Sequence, residues 1–507
     1  MDRHRVGQSA ALSVMQVIVA GGTLLFFYRY LLDTIGVAAV GVWSVVLATT
    51  SVGRIADFGI GGGVSRFVAK TNVEEDSSLA AKYVETALLS SAVITGLLVV
   101  LAFAPLRLLL ARILPPDSIT TAVALLPYAL LSFWVVNITS VLQGGVDGAL
   151  RVDLRNVIMI GSSFLQLGLG VLFVRLAGIM GLAYSQLSQA VIILVTTWLV
   201  LRRLLPTLSI VPRRWDYPVL RELIGFGWKL QLATIATVLF EPVTKALLTK
   251  FGGLASVGYY EMATRMVQQV RATLVNATQV LVPAIADSEN RDPRRASALY
   301  RASYNTVSFL AIPIAGMMIV LLPAISDLWI GHYEERFATF ATLLTIGWFT
   351  NALTGPSYFT AIGAGRMRWN LVGHVLIATL NLIAGYTLGA IYGGAGVVSG
   401  AVIALIAGSV VIVVNNHREQ GEPMPGLVPP GTALLVLASI VGSAVGLLAY
   451  RALDRNHNVV VSLATGLTAW LSIVAWPTWR HPARQLFTGW LMSAFPYSST
   501  HNRPTRE

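Results

Sequence analysis

The sequence predicts an all-α integral membrane protein that crosses the bilayer about fourteen times, in groups of six, six and two helices. Three observations carry that prediction. Of 507 residues, 55% are hydrophobic and 12% are charged, about half the ~25% charge of ordinary soluble domains. Apolar runs of about 20 residues, the length that spans a hydrocarbon core, recur from end to end. The segments between them alternate between rich and poor in Lys and Arg, as membrane topology requires.

The first run, 9–32, follows a short basic N-terminus and imitates a signal peptide. It is too long for an h-region and lacks a small-x-small cleavage site, so it reads as an uncleaved first helix. Runs at 37–58, 83–104, 121–143, 155–175 and 179–202 complete the first set. Leu205 to Leu220 holds three prolines, Arg213-Arg214 and Trp215, and reads as a cytoplasmic linker. The second set lies at 225–249, 255–284, 303–326, 337–361, 370–391 and 395–415. A proline- and glycine-rich segment, Gly421 to Pro430, sets off a last pair at 431–451 and 458–477, and a polar tail follows Pro482. The predicted division is an N-terminal lobe (1–204), a linker (205–222), a C-terminal lobe (223–417), helices 13 and 14 (431–477) and a tail (478–507).

Charge orients these spans. With the N-terminus inside, the inner segments collect Arg3, Arg5, Arg66, Lys70, Lys82, Arg151, Arg155, Arg213, Arg214, Arg366 and Arg368, among others. The outer ones hold Arg107, Arg112, Lys250 and Arg336 among few more, a bias of roughly three to one. A single miscounted helix would reverse the bias downstream, and no reversal occurs. Both termini are therefore predicted in the cytoplasm, with the chain in the inner membrane.

An internal repeat supports the division. Gly36-Val-Ala-Ala-Val-Gly41-Val-Trp43 is echoed by Gly253-Leu-Ala-Ser-Val-Gly258-Tyr-Tyr260, and the same shift of 217 positions carries Arg54 onto Arg271. Gly148-Ala-Leu-Arg151 is echoed by Gly363-Ala-Gly-Arg366, with Asn156 and Asn370 following. Six helices, an even number, separate equivalent points. The halves therefore share one orientation, a parallel repeat about an axis along the membrane normal.

Several function classes are disfavoured. The net charge of +12 is spread among loops rather than gathered into a basic run interleaved with aromatics, so no nucleic-acid partner is expected. Cysteine is absent, which removes disulfides, thiolate metal sites and cysteine nucleophiles. No P-loop glycine–lysine motif provides for ATP, and no paired aspartates stand in a cytoplasmic loop to hold magnesium. The seven histidines lack metal-ligand spacing. His332-Tyr-Glu-Glu335 is the nearest approach to an extracellular catalytic group and reads as a solvated loop. No catalytic residue, metal or cofactor is expected, and the chain reads as a non-enzyme.

Charged groups within spans are costly and normally face an interior cavity. Expected helix seven carries Lys229, Glu241 and Lys245; expected helix eight carries Glu261, Arg265 and Arg271. Glu241–Lys245 and Glu261–Arg265 are i,i+4 pairs that can each neutralise themselves on one face. By helical rise both pairs fall in the outer half of the membrane, where the four could form one cluster. Two readings stand: self-neutralising pairs that stabilise the bundle, or the wall of a water-filled cavity that receives an anionic headgroup. For the second, Arg271, Arg265, Lys245, Arg54 and Lys229 are the candidate substrate-binding residues, since cationic side chains, arginine above all, suit diphosphate. Glu241, Glu261, Asp57 and Glu85 are the candidate coupling carboxylates. Arg54 also fits a residue snorkelling to the interface, Asp57 a helix end beside a glycine cluster, and Glu85 an interfacial position.

Gly36 to Trp43, then Ala56-Asp57-Phe-Gly59-Ile and Ser65-Arg66-Phe-Val-Ala69, resemble the start of the polysaccharide-biosynthesis flippases, the lipid-linked oligosaccharide exporters. Gly258-Tyr-Tyr260, Ala263-Thr-Arg265 and Val282-Pro283 extend the likeness. It covers helices one to twelve and is thinly spread. It implies membership of the multidrug/oligosaccharidyl-lipid/polysaccharide exporter superfamily, with two six-helix lobes in a V around a cavity that opens alternately to each side. It further implies a flippase that moves a polyprenyl-diphosphate-linked oligosaccharide to the outer leaflet, with membrane lipids, a coupling ion (proton or sodium) and a polysaccharide polymerase as partners. The alternatives are a cation-coupled drug or metabolite extruder of the same superfamily and, from another class, a membrane glycosyltransferase or ligase. Helix one lacks the buried acid that some drug extruders use, since Asp33 lies at its outer end, and the outer loops are short for a transferase.

Overall fold

The structure, a computed structural model, describes residues 3–57, 59–71, 76–279, 293–364, 366–419, 421, 430–454 and 458–485. Side chains are described for these except at 3–11, 13, 14, 55–57, 228–237, 273, 276–279, 293, 295, 296, 363 and 454. The end of expected helix eight, most of the segment before helix 13 and most of the polar tail thus lie outside the described residues.

Regular structure among the described residues is helical throughout. In chain order the helices are α1 (Arg3–Ile35), α2 (Val37–Ser51), α3 (Ile60–Lys70), α4 (Ser77–Ile113), α5 (Pro116–Gly148), α6 (Val152–Ala177), α7 (Ile179–Leu204), α8 (Tyr217–Val238), α9 (Phe240–Gln279), α10 (Pro293–Ile330), α11 (Glu335–Ala352), α12 (Gly355–Gly363), α13 (Arg368–Glu419), α14 (Thr432–Asp454) and α15 (Val459–Arg480). A 3-10 segment, Val52–Asp57, joins α2 towards α3. Ten of the described helices are long and apolar enough to cross a membrane: α1, α2 with the 3-10 segment, α4 to α7, α10, α13, α14 and α15. Length and apolarity therefore establish a multi-pass membrane protein but not the expected count of fourteen.

The difference comes from breaks and charge. The expected seventh span, 225–249, is interrupted at Leu239, between α8 and α9. Pro242 lacks the N–H that would bond back to the fourth preceding carbonyl, so it is tolerated only in the first turn of a new helix. Lys229 consequently lies on α8, whereas Glu241 and Lys245 lie on α9. At 52 residues α13 would run about 78 Å as a straight rod. It is instead two rods joined at Gly393 (φ 64°, ψ −143°), and α9 likewise turns at Gly253 (φ 76°, ψ 171°).

These turns fall where the repeat requires. Gly253 is the mate of Gly36 (φ 79°, ψ 162°), the residue before α2. Gly393 similarly repeats Gly178 (φ 57°, ψ −133°), between α6 and α7. Only glycine adopts such conformations without strain. The repeat also governs packing. A Cβ on Gly41 would stand 2.1 Å from the Leu254 carbonyl oxygen, and one on Gly258 would stand 2.3 Å from the Val37 carbonyl oxygen. Gly41 and Gly258 are repeat mates, as are Val37 and Leu254, so α2 and α9 cross through one contact made twice with roles exchanged. Glycine at such a crossing lets the backbones approach closely.

The chain divides into two compact units, residues 1–273, 322–351 and 366–412, and residues 274–321, 352–365 and 413–507. In the first, Ile60, Val64, Phe67, Val84, Leu142 and Leu223 belong to one buried cluster. Phe240, Ile377, Ala401 and Leu405 form another, with Trp348 packed against it. In the second, Phe309, Val320, Leu435, Trp470 and Val474 pack together. Large apolar side chains such as Phe26, Val100, Leu176 and Ile391 remain strongly exposed on the long helices, as a surface solvated by lipid requires.

Candidate functional site

Within the first unit, residues of α1, α2, α5, α6, α7, α9 and α11 line a cavity of about 690 Å³. Its charge is concentrated on α9. Glu241 and Lys245 stand one turn apart before the Gly253 bend, and Glu261 and Arg265 one turn apart after it. The bend folds the second pair back beside the first. Lys245 Nζ lies 3.3 Å from Glu241 Oε2 and 2.7 Å from Glu261 Oε2, and Arg265 Nε donates to Glu261 Oε1 at 2.7 Å.

Burial differs sharply within this quartet. The Lys245 and Glu261 side chains are 3% and 5% exposed, whereas Glu241 and Arg265 are 43% and 50% exposed. Glu261 is the hub. Besides the two cations it accepts from Ser44 Oγ at 2.8 Å and, at the limit of hydrogen bonding, from Tyr28 OH at 3.5 Å. Ser44 is the repeat mate of Glu261, and Tyr28 that of Lys245, so the cluster closes between equivalent positions of the two halves. A buried carboxylate is tolerated when cations and donors satisfy its oxygens, and Glu261 meets that condition. Arg265 holds Glu261 through Nε, and its half-exposed guanidinium lines the cavity.

Arg54 is exposed and also lines the cavity. Arg271 stands behind the wall. Its guanidinium lies over the ring of Trp348, a lining residue, at 4.8 Å. It donates to Asn351 Oδ1 at 2.8 Å and Gln268 Oε1 at 3.2 Å. Asn351 is oriented for this by donating its own amide to Ser409 Oγ at 2.9 Å. No carboxylate pairs with Arg271 among the described residues, and its Nε is buried without a partner there.

The remaining expected residues fall elsewhere. Glu85 is fully buried away from the cavity and accepts backbone N–H bonds from Ser209, Arg213 and Arg214 at 3.0, 3.0 and 2.8 Å. It holds the segment after α7 against α4. The side chains of Lys229 and Asp57 lie outside the described residues.

Sequence reasoning passed over the uncharged polar lining. Gln166 on α6, Gln186 and Gln189 on α7, and Gln269 on α9 all face the cavity, together with Trp43, Tyr28 and Ser44. Gln189 and Gln269 donate to the Ser162 and Val17 carbonyls at 2.9 and 2.8 Å. The signal was present: Gln186 and Gln189, three apart in an apolar helix, share one face. Amides both donate and accept, and with the indoles they make a surface suited to hydroxyl-rich ligands.

The described helices thus form an apolar, multi-pass bundle that encloses a polar, charge-bearing cavity. Solved structures share this fold. A multidrug resistance MATE family transporter of the MOP superfamily, inward-facing, superposes with TM-score 0.70 at 14% identity over 80% of this chain and 98% of its own. The lipid II flippase MurJ, inward closed, gives 0.66 at 14% identity over 96% of this chain and 99% of its own. A MOP superfamily transporter from Pyrococcus furiosus, described as having a binding pocket of reverse polarity, gives 0.55 at 14% identity over 83% and 94%. No curated protein matches the sequence. The sequence model of the polysaccharide biosynthesis protein family matches residues 35–333, and the chain belongs to that family.

Proposed function

We infer that the protein is a flippase carrying a polyprenyl-diphosphate-linked oligosaccharide from the inner to the outer leaflet of the cytoplasmic membrane, for cell-surface polysaccharide synthesis. The observation that carries this reading is Arg265, half exposed on the wall of a glutamine- and tryptophan-lined cavity, in a chain of the polysaccharide biosynthesis family. The guanidinium fork matches adjacent phosphate oxygens, while amides and indoles suit sugar hydroxyls and ring faces. Arg54 adds positive charge, Lys245 neutralises the carboxylates beside Arg265, and Arg271 holds Trp348 in place behind them. Transport proceeds by alternating access between two six-helix lobes, with both termini in the cytoplasm, the polyprenyl chain in lipid and no covalent chemistry. Of the two central carboxylates, Glu241 is the coupling candidate for a proton or sodium ion, because Glu261 is already saturated with donors. The product in the outer leaflet suits a polysaccharide polymerase as the next partner.

The test is flipping of fluorescent lipid-linked oligosaccharide in proteoliposomes. Arg265→Ala should slow it at least tenfold, the order expected from losing charge-assisted hydrogen bonds, and Glu241→Gln should abolish ion dependence. Normal transport in both variants would overturn these assignments. A second reading, a cation-coupled drug or metabolite extruder, draws on the MATE-like fold, the open carboxylate of Glu241 and a cavity volume within the ~300–1,000 Å³ of small-molecule sites. Export of a small cationic drug with indifference to lipid-linked sugar would select it.

A further inference from the structure

The segment between α7 and α8, residues 205–216, has no regular secondary structure, yet it is tied to α4 along its length. Thr207 Oγ1 donates to the Ser77 carbonyl at 2.8 Å, and Glu85 takes the three backbone N–H groups already described. Trp215 Nε1 donates to Ser90 Oγ at 3.0 Å, Lys82 pairs with Asp216, and Leu205 and Leu208 are buried beneath. What this clasped segment presents outward is unusual for a loop in water. Ile210, Val211, Trp215 and, at the adjoining start of α8, Tyr217 are each more than half exposed, and the intervening Arg213 and Arg214 are exposed as well.

Depth along α4 explains the combination. Its stretch without charge, 86–106, is about the ~20 residues that a hydrocarbon core demands. Ser90 therefore sits one turn inside the core's edge, and the indole bonded to it lies at the boundary. Trp and Tyr concentrate at that level because their rings are apolar with a polar edge, and arginines beside them reach lipid phosphates. We propose that the clasped segment is an interfacial docking surface for anionic phospholipid, with Ile210, Val211, Trp215 and Tyr217 in the headgroup–acyl boundary and Arg213 and Arg214 on phosphate oxygens. The Glu85 clasp keeps the surface presented, so docking orders little chain. The surface is independent of the cargo cavity and requires only that the loop lie at one membrane face.

The absence of cysteine makes Val211→Cys a unique labelling site in the full chain. The labelled protein is placed in phosphatidylcholine nanodiscs containing a minor fraction of nitroxide-bearing phosphatidylglycerol or, for comparison, nitroxide-bearing phosphatidylcholine. The anionic quencher should be clearly the stronger. Adding Arg213→Gln and Arg214→Gln should remove the preference, a loss of about 25-fold in local affinity at roughly fivefold per arginine. These changes leave the backbone donors to Glu85 in place, and the two-lipid comparison on Val211→Cys alone decides the matter if the triple variant misfolds. No quenching by either lipid would show a surface that faces water, as one serving a soluble partner would. Equal quenching by both would show apolar insertion without anion recognition. Either result overturns the proposal.

Discussion

Glu261 concentrates the energetics of the site in one residue. Its carboxylate offsets Lys245, which is too buried to be solvated, and orients Arg265 towards the cavity. Removing one member of a buried pair leaves an uncompensated charge and typically costs about 3–5 kcal/mol, whereas replacing both with apolar groups is often neutral. Glu261→Ala should therefore lower the thermal midpoint of the purified protein by several degrees, and adding Lys245→Met should recover most of the loss. A midpoint unmoved by Glu261→Ala would mean that the pair contributes nothing. A second residue-scale prediction concerns pH. His481, just past α15, is buried; its Nε2 lies 3.0 Å from Thr432 Oγ1, and its Nδ1 accepts from the Ala483 N–H at 3.2 Å. Nδ1 is thus the acceptor of a neutral ring, and burial holds the ring below its ordinary pKa. The unfolded chain takes up the proton first, so stability from this group is present above about pH 6.5 and is lost as pH falls below it. His481→Gln should flatten thermal stability across that window relative to the parent.

Among the elements, the crossing of α2 and α9 depends on two glycines. Gly41→Leu would drive side-chain atoms into the Leu254 carbonyl, and Gly258→Leu would do the same at Val37. Neither backbone can yield cheaply, and overpacking of this kind costs about 1–3 kcal/mol or more. Each substitution should lower the thermal midpoint, and by similar amounts, because the contacts are equivalent. Strongly unequal effects would argue against a symmetric crossing. In the connection between α7 and α8, a single carboxylate takes three backbone N–H bonds. Glu85→Ala leaves three backbone N–H groups without their acceptor, at about 1–3 kcal/mol for each one kept from water. Release of the segment should expose the Arg213-Arg214 bonds, so limited trypsin should cut there in the variant and spare the parent.

At the scale of the molecule, the cation bias predicts sidedness. Thr207 lies in a segment expected inside and His332 in one expected outside, and both are exposed. In a chain without cysteine, Thr207→Cys and His332→Cys should react with an impermeant maleimide from opposite sides of sealed vesicles. Labelling of both from one side would refute the alternating topology. Parallel orientation of the repeats also accounts for the reach of the cluster. Equivalent positions, such as Ser44 with Glu261 and Tyr28 with Lys245, come together at one place because both halves present the same helix faces there.

The membrane class, most spans and the repeat could be read along the chain, because apolar length, loop charge and spacing are one-dimensional properties. The i,i+4 pairs of α9 were legible for the same reason: helical geometry fixes neighbours one turn apart. Other features depended on how helices rotate and cross. Pro242 divides an expected span, Gly253 folds two pairs of charges into one cluster, and Glu85 turns from the cavity to a backbone clasp. Whether Arg265 faces the cavity or Arg271 stands behind it is likewise set by helix rotation, which shifts by 100° with each residue and is decided only by packing. A repeated membrane bundle with charge on α9 is written in the order of residues along the chain; which of those charges share a cavity is set by packing, because burial and proximity belong to helices packed together.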